Sequence, residues 1–530
     1  MELGSLNPME TNRQNPRDAL LVLSLLVILG AMLIFTNRWF TFMDDEIAMI
    51  QDATVPAQQI VHSFTEGNGL HRHPPLYDLL LAGWLRVSGG RVALLRLPAT
   101  VFYLLGLWFV IQAAGLIGGA GAARAALWLG LVFPYGFHFG RIAGWYSFSF
   151  FTLALVTYAY LWVEEKPGWG RWALLVLACE MAIYANYFLV ALLGLLTLDY
   201  WQRHHSDLKR LAAGGATVVV VLLGFMPLVR ALMFRVAADE SILRPAYSLM
   251  ATTLFGGYNV YTLFVSESVA PWFWYFSMPV LVAVGLCAYA ILRYGPAPAL
   301  RLFLGFSACM LLMTAVNLIN TKRLLFLSSW LLIPIAAMVA GLPRPGLRKF
   351  TILALGVTGA IGWFGILSRQ YYAAPRLIEP WRPVAERAAG EVKKGAVVIG
   401  NNPSFFFHLT DALRSPGEPG TSDFAGTYPV YLKHPQLFDT NQWLGAGHAF
   451  GSTTLLVKGA ADETFWASTA ASERLLEQAC RLEGVERELP DTGIALKQRW
   501  FAGAQQPAWR IEVRTYRCPV AAETSASVHN

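Results

Sequence analysis

Eleven mostly apolar stretches recur along the first 370 positions of this chain, near 19–36, 95–117, 122–138, 145–163, 172–185, 187–201, 212–233, 271–293, 300–319, 324–341 and 350–368. Most approach the length that crosses a hydrocarbon core, on the order of 20 apolar residues in a helix. Lipid offers backbone amides and carbonyls nothing to bond, so such stretches must satisfy themselves as helices. An α-helical polytopic membrane protein of about 11 spans is therefore expected. The scarcity of charge agrees: 14% of residues are Asp, Glu, Lys or Arg and 55% are hydrophobic, whereas a soluble protein carries about 25% charged residues.

The net charge of +7 does not point to nucleic acid, because the basic residues are spread over loops instead of gathered on one soluble face. They read as topology signals. With the amino terminus inside, Arg13, Arg17, Arg124, Lys166, Arg171, Arg203, Lys209, Arg210, Arg293, Arg301, Arg344, Arg348 and Lys349 fall in short cytoplasmic loops, where positive charge belongs. The run from Ala19 to Phe35 lacks a small-residue cleavage site before the acidic residues that follow, so it is expected to stay as the first helix. Residues 37–94 form a long external loop, in which Glu46 to Ile60 and Pro75 to Val87 suit short interfacial helices.

After Ser368 the sequence turns polar, and the chain divides into a membrane domain over 1–368 and a second domain over 369–530. Glu379 to Val392 reads as an amphipathic helix leading through a turn into a strand at Ala396 to Gly400; Thr453 to Lys458 and Trp509 to Tyr516 read as further strands, and Ser472 to Leu482 as helix. An odd number of spans places this α/β domain outside the cytoplasm. The residues after Val520 read as a disordered tail. Cys179, Cys287 and Cys309 fall in spans as small packing residues. Cys480 and Cys518 are the pair in the external domain, and the sequence decides neither for nor against a bond between them. No C-x-x-C, H-E-x-x-H, Walker or G-x-G-x-x-G pattern stands in a fitting context, and no internal repeat is evident.

Against this apolar background Met43-Asp44-Asp45-Glu46 and His71-Arg72-His73-Pro74-Pro75-Leu76-Tyr77 are out of place. Ionisable groups at a bilayer are costly to retain, which makes such a cluster a functional-site hypothesis. The topology gathers Asp44, Asp45 and Glu46 with His73, Arg96, Arg141, Lys322 and Arg323 on the external side. Acids and cations on one face suit transfer from an anionic, membrane-resident donor: a carboxylate takes the proton of an acceptor hydroxyl while cations hold the departing phosphate. Each residue also has a plainer explanation. Asp44 or Glu46 would cap a helix, His73 would rest at headgroup level, and Arg96, Arg141, Lys322 and Arg323 would be snorkelling anchors. Tyr184 and Asn186 are read as helix-end residues.

The succession Asp45-Glu46, His73-Pro74-Pro75-Leu76-Tyr77, Arg96-Leu97-Pro98, Arg141-Ile142-Ala143-Gly144-Trp145-Tyr146 and Lys322-Arg323-Leu324-Leu325-Phe326-Leu327 resembles the GT-C membrane glycosyltransferases. More narrowly, it resembles the bacterial protein-mannosyltransferase-like and aminoarabinose-transferase-like group. The resemblance implies transfer of one sugar from a polyprenyl-phosphate carrier to a glycolipid, polysaccharide or protein acceptor at the outer face of the bacterial cytoplasmic membrane, with inversion. It implies Asp45 as general base with Glu46 beside it, Asp44 as an additional acid, and His73, Lys322 and Arg323 at the donor phosphate. Many relatives carry an acid in the turn that here offers Arg141, Ile142 and Gly144. No cofactor is therefore expected, while a divalent metal stays open.

A transporter or lipid flippase would also carry charge within a helical bundle, but its signature is inverted repeats and broken helices around a midplane site. A scaffold presenting the C-terminal domain would leave the acidic and His-Pro-Pro groups without a role.

Overall fold

The computed structural model describes residues 16–40, 42, 44–66, 73–238, 248–316, 321–367, 381–413, 435–445, 450–459, 467–488 and 511–519. The expected tail after Val520 and the segment His71-Arg72 lie outside them. The chain divides into two units: Met1–Asn37, Gln58–Leu79 and Arg96–Ser368 form the first, and Arg38–Ala57, Leu80–Leu95 and Arg369–Asn530 the second. The second unit thus takes two stretches of the long loop besides the polar C-terminal part of the chain.

The first unit is helical. Its elements are α1 (Pro16–Phe35), most of α3 (Ala57–Glu66), the start of α4 (Leu76–Ser88), α5 (Leu97–Val132), α6 (Pro134–Phe139), α7 (Trp145–Glu165), α8 (Trp169–Ala185), α9 (Leu189–His204), α10 (Leu208–Ala238), α11 (Leu249–Val265), α12 (Trp274–Tyr294), α13 (Ala297–Ala315), α14 (Ser329–Gly341) and α15 (Pro345–Leu367). Seven apolar helices among the described residues are long enough to cross a membrane, at Val92–Val132, Trp145–Glu165, Leu208–Met233, Trp274–Tyr294, Ala297–Ala315, Arg323–Gly341 and Pro345–Leu367. The protein is a multi-pass membrane protein. The expected segments 172–185 and 187–201 are also helical but shorter, and 19–36 falls in α1, whose apolar stretch Ala19–Phe35 is shorter as well.

Two expected spans, 95–117 and 122–138, run into one another through α5, which breaks at Gly118 and Gly119. Gly119 has φ 69°, a backbone state that side-chain-bearing residues avoid. Helix α11 was not expected at all. Helices apolar on every side belong in the interior, and the apolar windows of α7 and of the span Arg323–Gly341 that contains α14 are each 89% buried, whereas that of α10 is 11% buried and turns Val219, Leu222, Leu223 and Met226 outward. Helices α5 and α8 pack on α7, and Trp330 of α14 donates its indole N–H to Thr157 of α7 at 2.8 Å.

The second unit contains α2 (Asp44–Asp52) and a five-stranded sheet of β1 (Val397–Gly400), β2 (Leu437–Asp439), β3 (Thr453–Gly459), β4 (Arg481–Glu488) and β5 (Ile511–Arg517) in the order β2-β1-β3-β5-β4. Strand β1 is parallel to β2 and β3, while β5 is antiparallel to β3 and β4. Side chains alternate across the sheet. Val398, Leu455 and Val457 join Trp381 and Phe405 of α16 (Trp381–Val392) and α17 (Pro403–Leu413) on one face. Val397, Ile399 and Leu456 join Trp443 of α18 (Thr440–Gly445) and Leu476 of α19 (Ala467–Ala479) on the other. Cys480 and Cys518 are disulfide-bonded, with Cα atoms 4.4 Å apart. The end of the expected helix at Ser472 to Leu482 is instead the beginning of β4.

Candidate functional site

Helix α2 opens on the acidic run itself, where free amides and the positive end of the helix dipole favour carboxylates. Its Ile47 and Ile50, one turn apart, are buried, which fixes the helix on its apolar face. Glu46 is fully buried and Asp45 half-buried. The side chain of Asp44 lies outside the described residues. Ahead of α2, Phe42 is held from far along the chain: Ser404 Oγ donates to its carbonyl at 2.9 Å, and the Phe407 ring lies 4.9 Å from its own. Phe42, Ser404 and Phe407 are all buried, and α2 packs on α17.

The cations lie in the first unit. Arg141 and Arg96 are each only 1% exposed, so their guanidinium groups need partners in place. Arg141 donates to Leu33 O at 3.2 Å, Thr36 Oγ1 at 2.7 Å and Phe137 O at 3.1 Å, and its guanidinium lies 4.3 Å from the Phe137 ring centre. Arg96 donates to Asn37 O at 3.3 Å. Both arginines therefore grip the end of α1 and the turn after it, directly ahead of the acidic segment in the chain. These bonds show a bracing function that neither residue type nor position in the sequence announces.

His73 lies with its ring centre 4.7 Å from that of Trp145, the first residue of α7, and Tyr77 is buried near Phe148. The 3-10 segment Thr321–Ser328 packs on α6 and α7. It carries Lys322 and Arg323, and the side chain of Lys322 lies outside the described residues. His73 thus meets the first residue of α7, Arg141 lies in the turn between α6 and α7, and the segment carrying Arg323 packs on those same two helices. By residue type, His73 and the Lys322-Arg323 pair suit an anion, and the carboxylates of α2 suit proton acceptance.

One acid escaped the sequence reading. Glu267, between α11 and α12, is 3% exposed and accepts from Tyr258 Oη at 3.0 Å. It and Ser266 have φ values of 55° and 61°, a left-handed state costing roughly 1–2 kcal/mol per residue outside glycine. Ser266 Oγ lies 2.8 Å from His138 Nδ1 of α6, and Ser268 donates to Gly362 O at 2.9 Å. These contacts hold the strained pair in place. An acid flanked by serines in an otherwise apolar stretch was the available signal.

The fold is that of the GT-C membrane glycosyltransferases. The chain is similar to ArnT from Cupriavidus metallidurans bound to undecaprenyl phosphate, with TM-score 0.55 and 13% identity over 94% of this chain and 98% of that one. The same enzyme in its apo state gives TM-score 0.52 at 13% identity with the same coverage. No protein-family model and no curated protein matches the chain.

Proposed function

We propose that the chain moves a sugar from a polyprenyl-phosphate donor to an acceptor at the outer face of the cytoplasmic membrane, with inversion at the sugar carbon. The likeness in fold to an ArnT bound to undecaprenyl phosphate, across 94% of the chain, carries this reading. Asp45 accepts the proton of the acceptor hydroxyl as that oxygen bonds to the anomeric carbon; the bond from that carbon to the phosphate oxygen breaks, and the carrier leaves as an anion. His73, Lys322 and Arg323 hold that phosphate. Arg96 and Arg141 act one step back, by fixing the chain that leads to Asp45. The amino terminus is cytoplasmic and the C-terminal unit external, a reading supported by the loop charges and by the Cys480–Cys518 bond, since disulfides are rare in reducing compartments.

The test is direct. The purified chain in lipid nanodiscs, given polyprenyl-phosphate sugars and delipidated envelope glycans, releases free polyprenyl phosphate, and the product's anomeric coupling by NMR is opposite to the donor's. Folded protein that consumes no donor across a panel of hexose and pentose carriers contradicts the proposal.

A further inference from the structure

Between α16 and α17, within the second unit, lies a cleft of 430 Å³ that the transfer chemistry leaves without a task. Arg382 and Glu386 of α16, with Lys393 just past its end, form one wall, and His408 and Asp411 of α17 form the other. The floor is small: a Cβ on Gly390 would meet nothing within 4 Å, so the space above the helix is open there. Arg382 Nε donates to Glu386 Oε1 at 3.0 Å, which presents a guanidinium and a carboxylate side by side.

The charges decide the ligand class. The lining holds two cations and two carboxylates, so the cleft has no net attraction for an ion when His408 is neutral, and its polar lining gives an apolar group little to bury against. What it offers is alternating donors and acceptors: carboxylates accept, guanidinium and ammonium donate, and imidazole does either. Vicinal hydroxyls match that pattern. We infer that the α16–α17 cleft binds a saccharide unit of the acceptor; this rests on the transferase reading and names the acceptor as a glycan.

Position supports the assignment. The helix that supplies His408 and Asp411 also supplies Ser404 and Phe407, which hold Phe42, and the His408 ring lies 6.3 Å from the Phe42 ring. Asp45 follows Phe42 by three residues, at most about 11 Å of extended chain. A glycan anchored in the cleft is therefore within short reach of the acidic helix.

Saturation-transfer NMR on the full chain in nanodiscs tests this, with saccharides released by mild acid from the envelope of the producing cells as the probe. Wild type should saturate saccharide protons. Gly390→Trp, which fills the cleft from an exposed helix position, and Glu386→Gln with Asp411→Asn should each weaken that binding at least about tenfold, or about 1.4 kcal/mol. The acceptor KM should rise while kcat and polyprenyl-phosphate affinity hold, and retained carrier binding certifies the fold. Saccharide binding equal to wild type in both variants, or no saccharide binding by a wild type that consumes donor, overturns the cleft assignment alone. A wild type that binds saccharide but neither binds nor consumes donor overturns the transferase reading instead.

Discussion

A sugar hydroxyl is a weak nucleophile at neutral pH, and a carboxylate that takes its proton as the bond forms contributes about 10²–10⁴-fold. Asp45→Asn keeps the size of the side chain and loses that capacity, so turnover should fall by about that factor with carrier binding retained. Asp44→Asn should be milder. A larger loss at Asp44 than at Asp45, measured side by side on purified protein, would reassign the base. A helix at the acidic run was legible because carboxylates favour a helix amino terminus. The bracing by Arg141 was not, because its partners Leu33 and Thr36 lie more than 100 residues away and two of its acceptors are backbone carbonyls, which every residue possesses. Ser404 was illegible for the same reason: its partner is the carbonyl of Phe42.

Among elements, the long apolar helices and the strands β1 and β3 followed from periodicity. Helix α11 did not, since Gly256-Gly257 in its middle reads as a break. Packing on α6, α13 and α15 supplies what propensity lacks there, with Asn259 Nδ2 donating to Thr314 Oγ1 at 3.4 Å. Strand β4 was missed because its charged residues suit a sheet edge, where charge discourages further pairing. Beside it, Lys458 Nζ lies 2.8 Å from Glu473 Oε2, and Arg514 Nε and Arg487 Nε donate to the two oxygens of Glu512 at 2.5 Å each. Burial is the strongest single influence on Glu512 and works to raise its pKa. The bonds from Arg514 and Arg487 and the charge of Lys458 together outweigh it and hold the carboxyl below its usual range. The unfolded group titrates near about 4.3. Its stabilisation is therefore complete above that pH and is lost as pH falls through the lower folded value. Hydrogen exchange of β3 and β5 in the full chain, corrected for intrinsic rate, should show protection falling in that acid window. Glu512→Gln should weaken protection already at pH 7, by up to about 3–5 kcal/mol for a buried pair broken on one side, and should flatten the acid limb. An unchanged acid limb in the variant would assign the loss to another group.

At the scale of the whole molecule, sidedness can be checked with two single cysteines in a background whose five native cysteines are replaced. A cysteine at Lys394, an exposed position, should react with impermeant maleimide in intact cells, and one at His205 only after lysis. The reverse pattern would place the acidic helix on the cytoplasmic side. The bond from Ser404 to Phe42 spans 362 residues of sequence, and this sets a schedule for making the protein. At about 5–20 residues per second of synthesis, Phe42 waits on the order of 20–70 s before Ser404 exists. During that interval the acidic segment is synthesised but lacks the partner that secures it. The Ser404–Phe42 tie ahead of α2 is therefore a late event of synthesis, and a chain cut short before residue 404 enters the membrane without it.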